Sequence, residues 1–122
     1  MNIKEEFRLA LRELVYPVCV VSAYNDETKE NHAITVSSVT SLSFEPPSIL
    51  VCINKDSSIH SSLKKDSNFN ISFLSSSQTE ISNLCGTDEL SDKRFDNDFW
   101  DFKNNIGSVS YTHLRAHETH LN

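Results

Sequence analysis

Two polar clusters hold most of the chemistry this sequence could do. Thr35, Ser37 and Ser38 close a hydroxyl-rich run, and Asn54-Lys55-Asp56-Ser57-Ser58 forms a second cluster further along. Pro46-Pro47 and the apolar stretch Ser48–Ile53 lie between them. Hydroxyls, one amide and one ammonium are binding groups: they hold an anion by hydrogen bonds, together with backbone N–H groups, best of all at a helix start. Strand geometry would put Thr35 and Ser37 on one face and Ser38 on the other, unless the chain bends there. No histidine stands beside a nucleophilic cysteine, and no carboxylate pair has a spacing suited to acid–base work, so catalytic residues stay unassigned.

The elements that must position these clusters follow from periodicity. Ile3, Phe7, Ala10, Leu11 and Leu14 recur at helical spacing, with Glu5, Glu6, Arg8, Arg12 and Glu13 on the other face. Asn2 is the expected N-cap, Glu5 completes a capping box, and Pro17 ends the helix. Val18–Tyr24 is an apolar, β-branched strand, and Asn25–Glu30 a charged turn leading to a second strand, His32–Ser38, paired antiparallel with the first. Ser48–Ile53 is a further strand. Ser57–Lys65 suits a short helix capped by Ser57 or Ser58, with Ile59 and Leu63 on its inner face. Phe69, Ile71 and Phe73 alternate in a half-buried strand, Asn68–Leu74, followed by a helix at Thr79–Leu84 that Gly86 stops. Asp92–Phe99 is charged and aromatic. An antiparallel meander of this kind escapes open edges by closing into a barrel or pairing into a sandwich, and a small barrel with helices at its rim is expected.

Composition narrows the function classes. The 122 residues suit one domain with a modest core, in which about 60–70% of the unfolded surface is buried. Seventeen acidic residues against eleven basic give a formal charge of −6, and Lys64-Lys65 and Lys93-Arg94 are isolated pairs. That excludes sequence-independent nucleic-acid binding, which needs clustered cations. No apolar run reaches membrane-span length, and no signal-peptide core is seen. Three widely spaced cysteines, with Cys19 and Cys52 in strand candidates as small buried hydrophobes, fit a reducing, cytoplasmic setting better than Cys85 and its partners fit a disulfide framework.

The segment Asn31-His32-Ala33-Ile34-Thr35-Val36-Ser37-Ser38, then Pro46-Pro47, then Asn54 with Ser57-Ser58, resembles in order and spacing the flavin-binding signature of the flavin reductase-like family. Phe7–Leu11 with Pro17–Val21 resembles that family's first helix and strand. Asn68–Leu74 with Gln78, Gly86, and Asp92-Lys93-Arg94-Phe95 before Trp100 resemble its later elements. The resemblance implies an α+β, mainly β fold: an FMN-binding split β-barrel, antiparallel and Greek-key-like, with short peripheral helices and incomplete at the C-terminus. It further implies an NAD(P)H-dependent flavin reductase that passes hydride to FMN or FAD and supplies a flavin-dependent monooxygenase. It implies a homodimer, with the first helix and Phe95–Trp100 as contacts. The flavin would be held by Thr35, Val36, Ser37, Ser38, Asn54, Lys55, Ser57 and Ser58. Ala33 stands where the family commonly has Gly, and Lys55 where it has Arg, which loses bidentate contact with a phosphate. Asp56 adds a negative charge beside the proposed phosphate site. The alternatives are a non-catalytic FMN-binding module and an inactive fragment of a reductase.

Val109–Thr119 reads Val-Ser-Tyr-Thr-His-Leu-Arg-Ala-His-Glu-Thr, which resembles a one-frame translation of a transposon-type sequencing adapter. The expected organisation is therefore a flavin-binding domain over 1–108 and a non-native, poorly packed tail over 109–122, with the family's Gly-Asp-His element missing after Ser108. His113, His117 and His120 belong to that tail, and no metal site is expected. His32 and His60 read as a strand-end polar residue and an exposed one, and Phe99, Trp100 and Phe102 as aromatic packing over a barrel end.

Overall fold

The computed structural model describes residues 2–13 and 17–109. Helix α1 spans Ile3–Arg12 and starts as the capping pattern implies: Asn2 Oδ1 accepts the Glu5 N–H at 2.8 Å. Its apolar stripe nevertheless buries nothing, for no residue of α1 is buried. Leu14, expected to extend that stripe, lies outside the described residues.

Among the described residues seven strands follow: β1 Cys19–Asn25, β2 Glu30–Val36, β3 Val39–Phe44, β4 Pro47–Val51, β5 Phe69–Phe73, β6 Trp100–Lys103 and β7 Ile106–Val109. They form three antiparallel sheets that do not close on one another: β2-β1-β5, the hairpin β3-β4, and the hairpin β6-β7. Strand β1 is central, with Ser22 opposite Ala33 of β2 on one side and Asn70 of β5 on the other. The β2–β1 pairing across the Asn25–Glu30 turn is the one the sequence implies. Lys29 takes a left-handed φ of 62° there, and the Asn25 side-chain carbonyl accepts the N–H groups of Glu27 and Thr28.

Both faces of this sheet are covered. Cys19, Val21 and Ala23 of β1, Val36 and Ile71 pack against Ile59 of a 3₁₀ helix, Ser58–Ser62, and against Ile49 and Val51 of the β3-β4 hairpin. Val20 and Ala33 face the other way, toward Ile81 and Cys85 of helix α2 (Thr79–Gly86), Trp100 and Val109. Fully burying one such aliphatic side chain is worth about 1.5–3 kcal/mol, so the residues packed on the two faces of β1 dominate the stability.

The second cover explains several departures from the sequence-based expectation. Asn70 and Ser72, the polar partners in the alternation of β5, are buried instead of solvated. The β6-β7 hairpin lies across their face: the Ser22 hydroxyl donates to the Gly107 carbonyl, and the Val109 N–H donates to Ser72 Oγ at 3.1 Å. That hairpin turns on Asn104-Asn105, both left-handed at φ 52° and 69°, the conformation a two-residue hairpin turn requires. Val109, the first residue assigned to a poorly packed tail, is buried in β7; the remainder of that segment, 110–122, lies outside the described residues.

Smaller corrections concern ends. Strand β2 stops at Val36, leaving Ser37 and Ser38 in the connection to β3. Strand β4 stops at Val51, so Cys52 is exposed and not a buried hydrophobe. Ser57 precedes its 3₁₀ helix without capping it, because its hydroxyl donates to the Asn54 carbonyl at 2.6 Å. Gly86 ends α2 without adopting a positive φ.

Gly107 sits where no side chain fits. A Cβ there would lie 2.8 Å from Trp100 Cε3 and 3.1 Å from Phe102 Cε1. Trp100 cannot swing away cheaply: its indole N–H donates to the Arg94 carbonyl at 2.6 Å, and its ring centroid lies 4.6 Å from that of Phe95. Gly107→Ala is therefore expected to cost about 1–3 kcal/mol by overpacking, read as a lower urea midpoint. An unchanged midpoint would show that the hairpin is not held against the ring.

Candidate functional site

Among the described residues strand β2 lies at the edge of its sheet, and the site forms where the covers of the two sheet faces meet along it. The backbone alternation places Ala33 and Thr35 on the α2 side. Thr35 Oγ1 donates to the Ser82 carbonyl at 2.7 Å, and a Cβ on Gly86 would be in ordinary contact with the Thr35 side chain. The 3₁₀ helix approaches from the other side and brings Ser57 and Ser58. A cavity of about 130 Å³ remains between them, its wall including Thr35, Ser57, Ser58, Cys85, Gly86 and Arg94.

Three of the eight sequence-proposed residues, Thr35, Ser57 and Ser58, thus share one cavity. Val36 turns into the core, so only its backbone can meet a ligand. Ser38 Oγ donates to the Cys52 carbonyl at 3.1 Å, and the Cys52 N–H returns a bond to the Ser38 carbonyl, tying the end of β2 to the start of the Asn54 turn. Asn54 Oδ1 accepts the Asp56 N–H at 2.9 Å, closing that turn. Ser37 and Lys55 are exposed. Two larger cavities, of about 520 and 390 Å³, lie elsewhere and are lined by none of these eight residues.

Hydrogen-bond directions sort the hydroxyls. Thr35, Ser38 and Ser57 have each committed their only O–H to a backbone carbonyl and can offer a ligand just lone pairs. The Ser37 and Ser58 hydroxyls make no such bond among the described residues and remain available as donors.

The cation at this site is one the sequence had placed in an isolated surface pair. Arg94 is buried, and its guanidinium donates to three backbone carbonyls: Leu84 at 2.7 Å from Nε, Ala33 at 3.0 Å from Nη1 and Thr87 at 3.2 Å from Nη2. Asp88 approaches Nη2 only to 4.0 Å and is fully exposed. Five N–H donors minus three bonds leaves N–H groups to spare beside the cavity. Burial pushes the neighbouring Cys85 thiol up to about 12, against the opposing pull of Arg94, so this cysteine is neutral and unreactive near neutral pH. His32 is half-buried, with Nε2 3.7 Å from a Glu30 carboxylate oxygen, and does not line the cavity. Among the described residues no three His, Cys, Asp or Glu side chains gather as metal ligands.

The donor set fits a phosphate group. A free serine hydroxyl and a buried guanidinium with unspent N–H groups, both lining one small cavity, suit a compact anion.

Comparison with known proteins gives the family and the fold. The family model of the flavin reductase like domain matches residues 11–116. The reductase component of the FADH2-dependent resorcinol hydroxylase of a Rhizobium species (strain MTP-10005) is 31% identical over 99 residues, covering 81% of this chain and 55% of that protein. The NADH:riboflavin 5′-phosphate oxidoreductase of Streptomyces pristinaespiralis is 34% identical over 83 residues, covering 68% of this chain and 47% of that protein. The chain thus spans about half the length of the curated relatives it matches. Among solved structures, the NADH:FAD oxidoreductase of Streptomyces globisporus, in complex with NAD and FAD fragments, superposes with a TM-score of 0.76. It is 23% identical, over 88% of this chain and 64% of that one, and shows the likeness of fold. The fold of the chain is accordingly that of the split-barrel flavin reductases, with its sheets unclosed. With a family match across most of its length and the same strand arrangement, this chain belongs to the flavin reductase like domain family.

Proposed function

We propose that this chain is the flavin-binding part of an NAD(P)H-dependent flavin reductase, and that the cavity between Thr35 and Ser57-Ser58 receives the phosphate of FMN or of FAD. The observation that carries this reading is that the buried Arg94 and the Ser58 hydroxyl line one and the same small cavity. Flavin, when bound, supplies the acceptor for a nicotinamide hydride. The residues of the chain bind and orient. Ser58 and Arg94 offer O–H and N–H donors, Thr35 braces α2 against β2, and the Ser38–Cys52 bonds tie the end of β2 to the start of the Asn54 turn. The absence of an acid–base pair among the described site residues suits such a role, because the protein need move no proton there.

Relatives named as reductase components of a resorcinol hydroxylase and of a 4-nitrophenol monooxygenase support a monooxygenase as the consumer of the reduced flavin. All three cysteines are free thiols, in keeping with a cytoplasmic setting. The test is NADH oxidation with and without added FMN. FMN-dependent turnover is expected, and Ser58→Ala should weaken FMN binding by about 1.5 kcal/mol, or about tenfold, as the loss of a hydrogen bond to a charged group. Binding without turnover would make the chain a non-catalytic flavin module; no binding at all would overturn the reading.

We also propose a homodimer, through the first helix as expected from the sequence but not through Phe95–Trp100. Trp100 is buried, Phe95 and Phe99 pack against the core, and only Phe102 of that aromatic group is exposed. Helix α1 does present Ile3 and Phe7, 83% and 64% exposed, and the β3-β4 hairpin presents Leu42 and Phe44, 67% and 92% exposed, in place of the buried aromatic segment. A helix as short as α1 is marginal in water unless its apolar face packs on something. Sedimentation equilibrium should give twice the chain mass for the wild type and the single mass for Phe7→Glu with Phe44→Glu. A wild-type monomer would contradict the assignment.

A further inference from the structure

Arg94 makes more bonds than a ligand-binding cation needs, and all of its close partners are backbone. Its planar fork joins three places distant in sequence: Ala33 on the edge strand β2, Leu84 near the end of α2, and Thr87 just beyond it. Leu84 and Thr87 flank Cys85 and Gly86, which form one wall of the cavity. The Thr35–Ser82 hydrogen bond makes a second stitch between the same two elements. The Arg94 carbonyl in turn accepts the Trp100 indole N–H, so the clasp is anchored in the aromatic cluster behind it. Among the described residues the one carboxylate that lines the cavity, Asp88, reaches Nη2 only at 4.0 Å and is exposed to solvent, so the three carbonyls are the closer partners.

We infer that Arg94 is a positioning residue for flavin binding: by clasping Ala33, Leu84 and Thr87 it holds the C-terminal turn of α2 against β2 and so sets the width of the cavity facing Ser57 and Ser58. The inference rests on the reading of that cavity as a flavin-phosphate site. It differs from a simple electrostatic role in what a lysine can do. A lysine keeps the charge, but its compact ammonium cannot reproduce a planar fork reaching three carbonyls in different directions.

The experiment is fluorescence titration of FMN into the wild-type chain, Arg94→Lys and Arg94→Gln, at a temperature where circular dichroism shows each variant folded. Both variants should bind FMN at least about tenfold more weakly than wild type, Arg94→Lys included. Affinity within about twofold of wild type in Arg94→Lys would overturn the positioning role in favour of charge alone. Unchanged affinity in Arg94→Gln would overturn it altogether. If wild type itself binds no FMN, the reading of the cavity fails, an outcome distinct from the variants matching a wild type that binds. Should neither variant fold, the wild-type chain still decides by nitrogen-15 NMR of the Arg94 Nε–H. Protection from solvent exchange that persists when FMN is added supports the clasp; loss of protection on binding shows the guanidinium leaving its carbonyls and overturns it.

Discussion

The structure depends on one constraint: strand β1 is buried on both faces. Cys19 to Ala23 are inaccessible without a break, alternating between two apolar clusters. A strand of this kind cannot exist in a single-layered sheet with a wet face. It requires the 3₁₀ helix with the β3-β4 hairpin on one side, and α2 with the β6-β7 hairpin on the other. Serine side chains tie the second cover to the sheet, with Ser22 and Ser72 bonding Gly107 and Val109. Without the hairpin Ser22 would be a buried hydroxyl with no partner, at a cost of about 1–3 kcal/mol, and Ser72 would keep only the bond from the Asn70 amide.

The site follows from that layering. Two covers packed on opposite faces of one sheet must meet at its edge, and at the β2 edge they leave a seam. An edge strand has backbone groups with no neighbouring strand to satisfy them. Arg94 supplies a donor to one of them, the Ala33 carbonyl, and its other bonds go to carbonyls at the end of α2, where helix geometry leaves acceptors unpaired and the helix dipole favours a cation. A buried guanidinium is tolerated here because carbonyl dipoles surround it. The same arrangement leaves positive charge beside a polar void, which is what a phosphate needs from a chain carrying a net charge of −6.

Much of this was legible in the residues. The alternation in Phe69–Phe73, the unbroken apolar run of β1 and the helical spacing of Ile59 with Leu63 identified the elements that make the core, because burial on a regular element leaves a regular pattern. The hydroxyl-rich end of β2 and the Ser57-Ser58 cluster were visible as residue types. Which of those hydroxyls still has a proton to give was not, since Thr35, Ser38 and Ser57 spend theirs on carbonyls that only the folded chain brings near. Arg94 looked like half of a surface pair with Lys93 because its partners stand as far as 61 residues away in sequence. The β6-β7 hairpin was missed because its turn, Asn104-Asn105, follows a segment whose charge and aromatic content mask a two-residue period. Phe95 and Trp100 were expected at a subunit contact, yet they pack against the core that Trp100 closes.

The central claim is that the Thr35–Ser58–Arg94 seam recognises a phosphate. It is tested most directly by the ratio of dissociation constants for riboflavin and FMN with the wild-type chain, since the two ligands differ only in that group. The account requires FMN to bind at least about tenfold more tightly than riboflavin, with the margin shrinking as salt rises. Equal affinities at low salt would place the flavin elsewhere on the fold and contradict it.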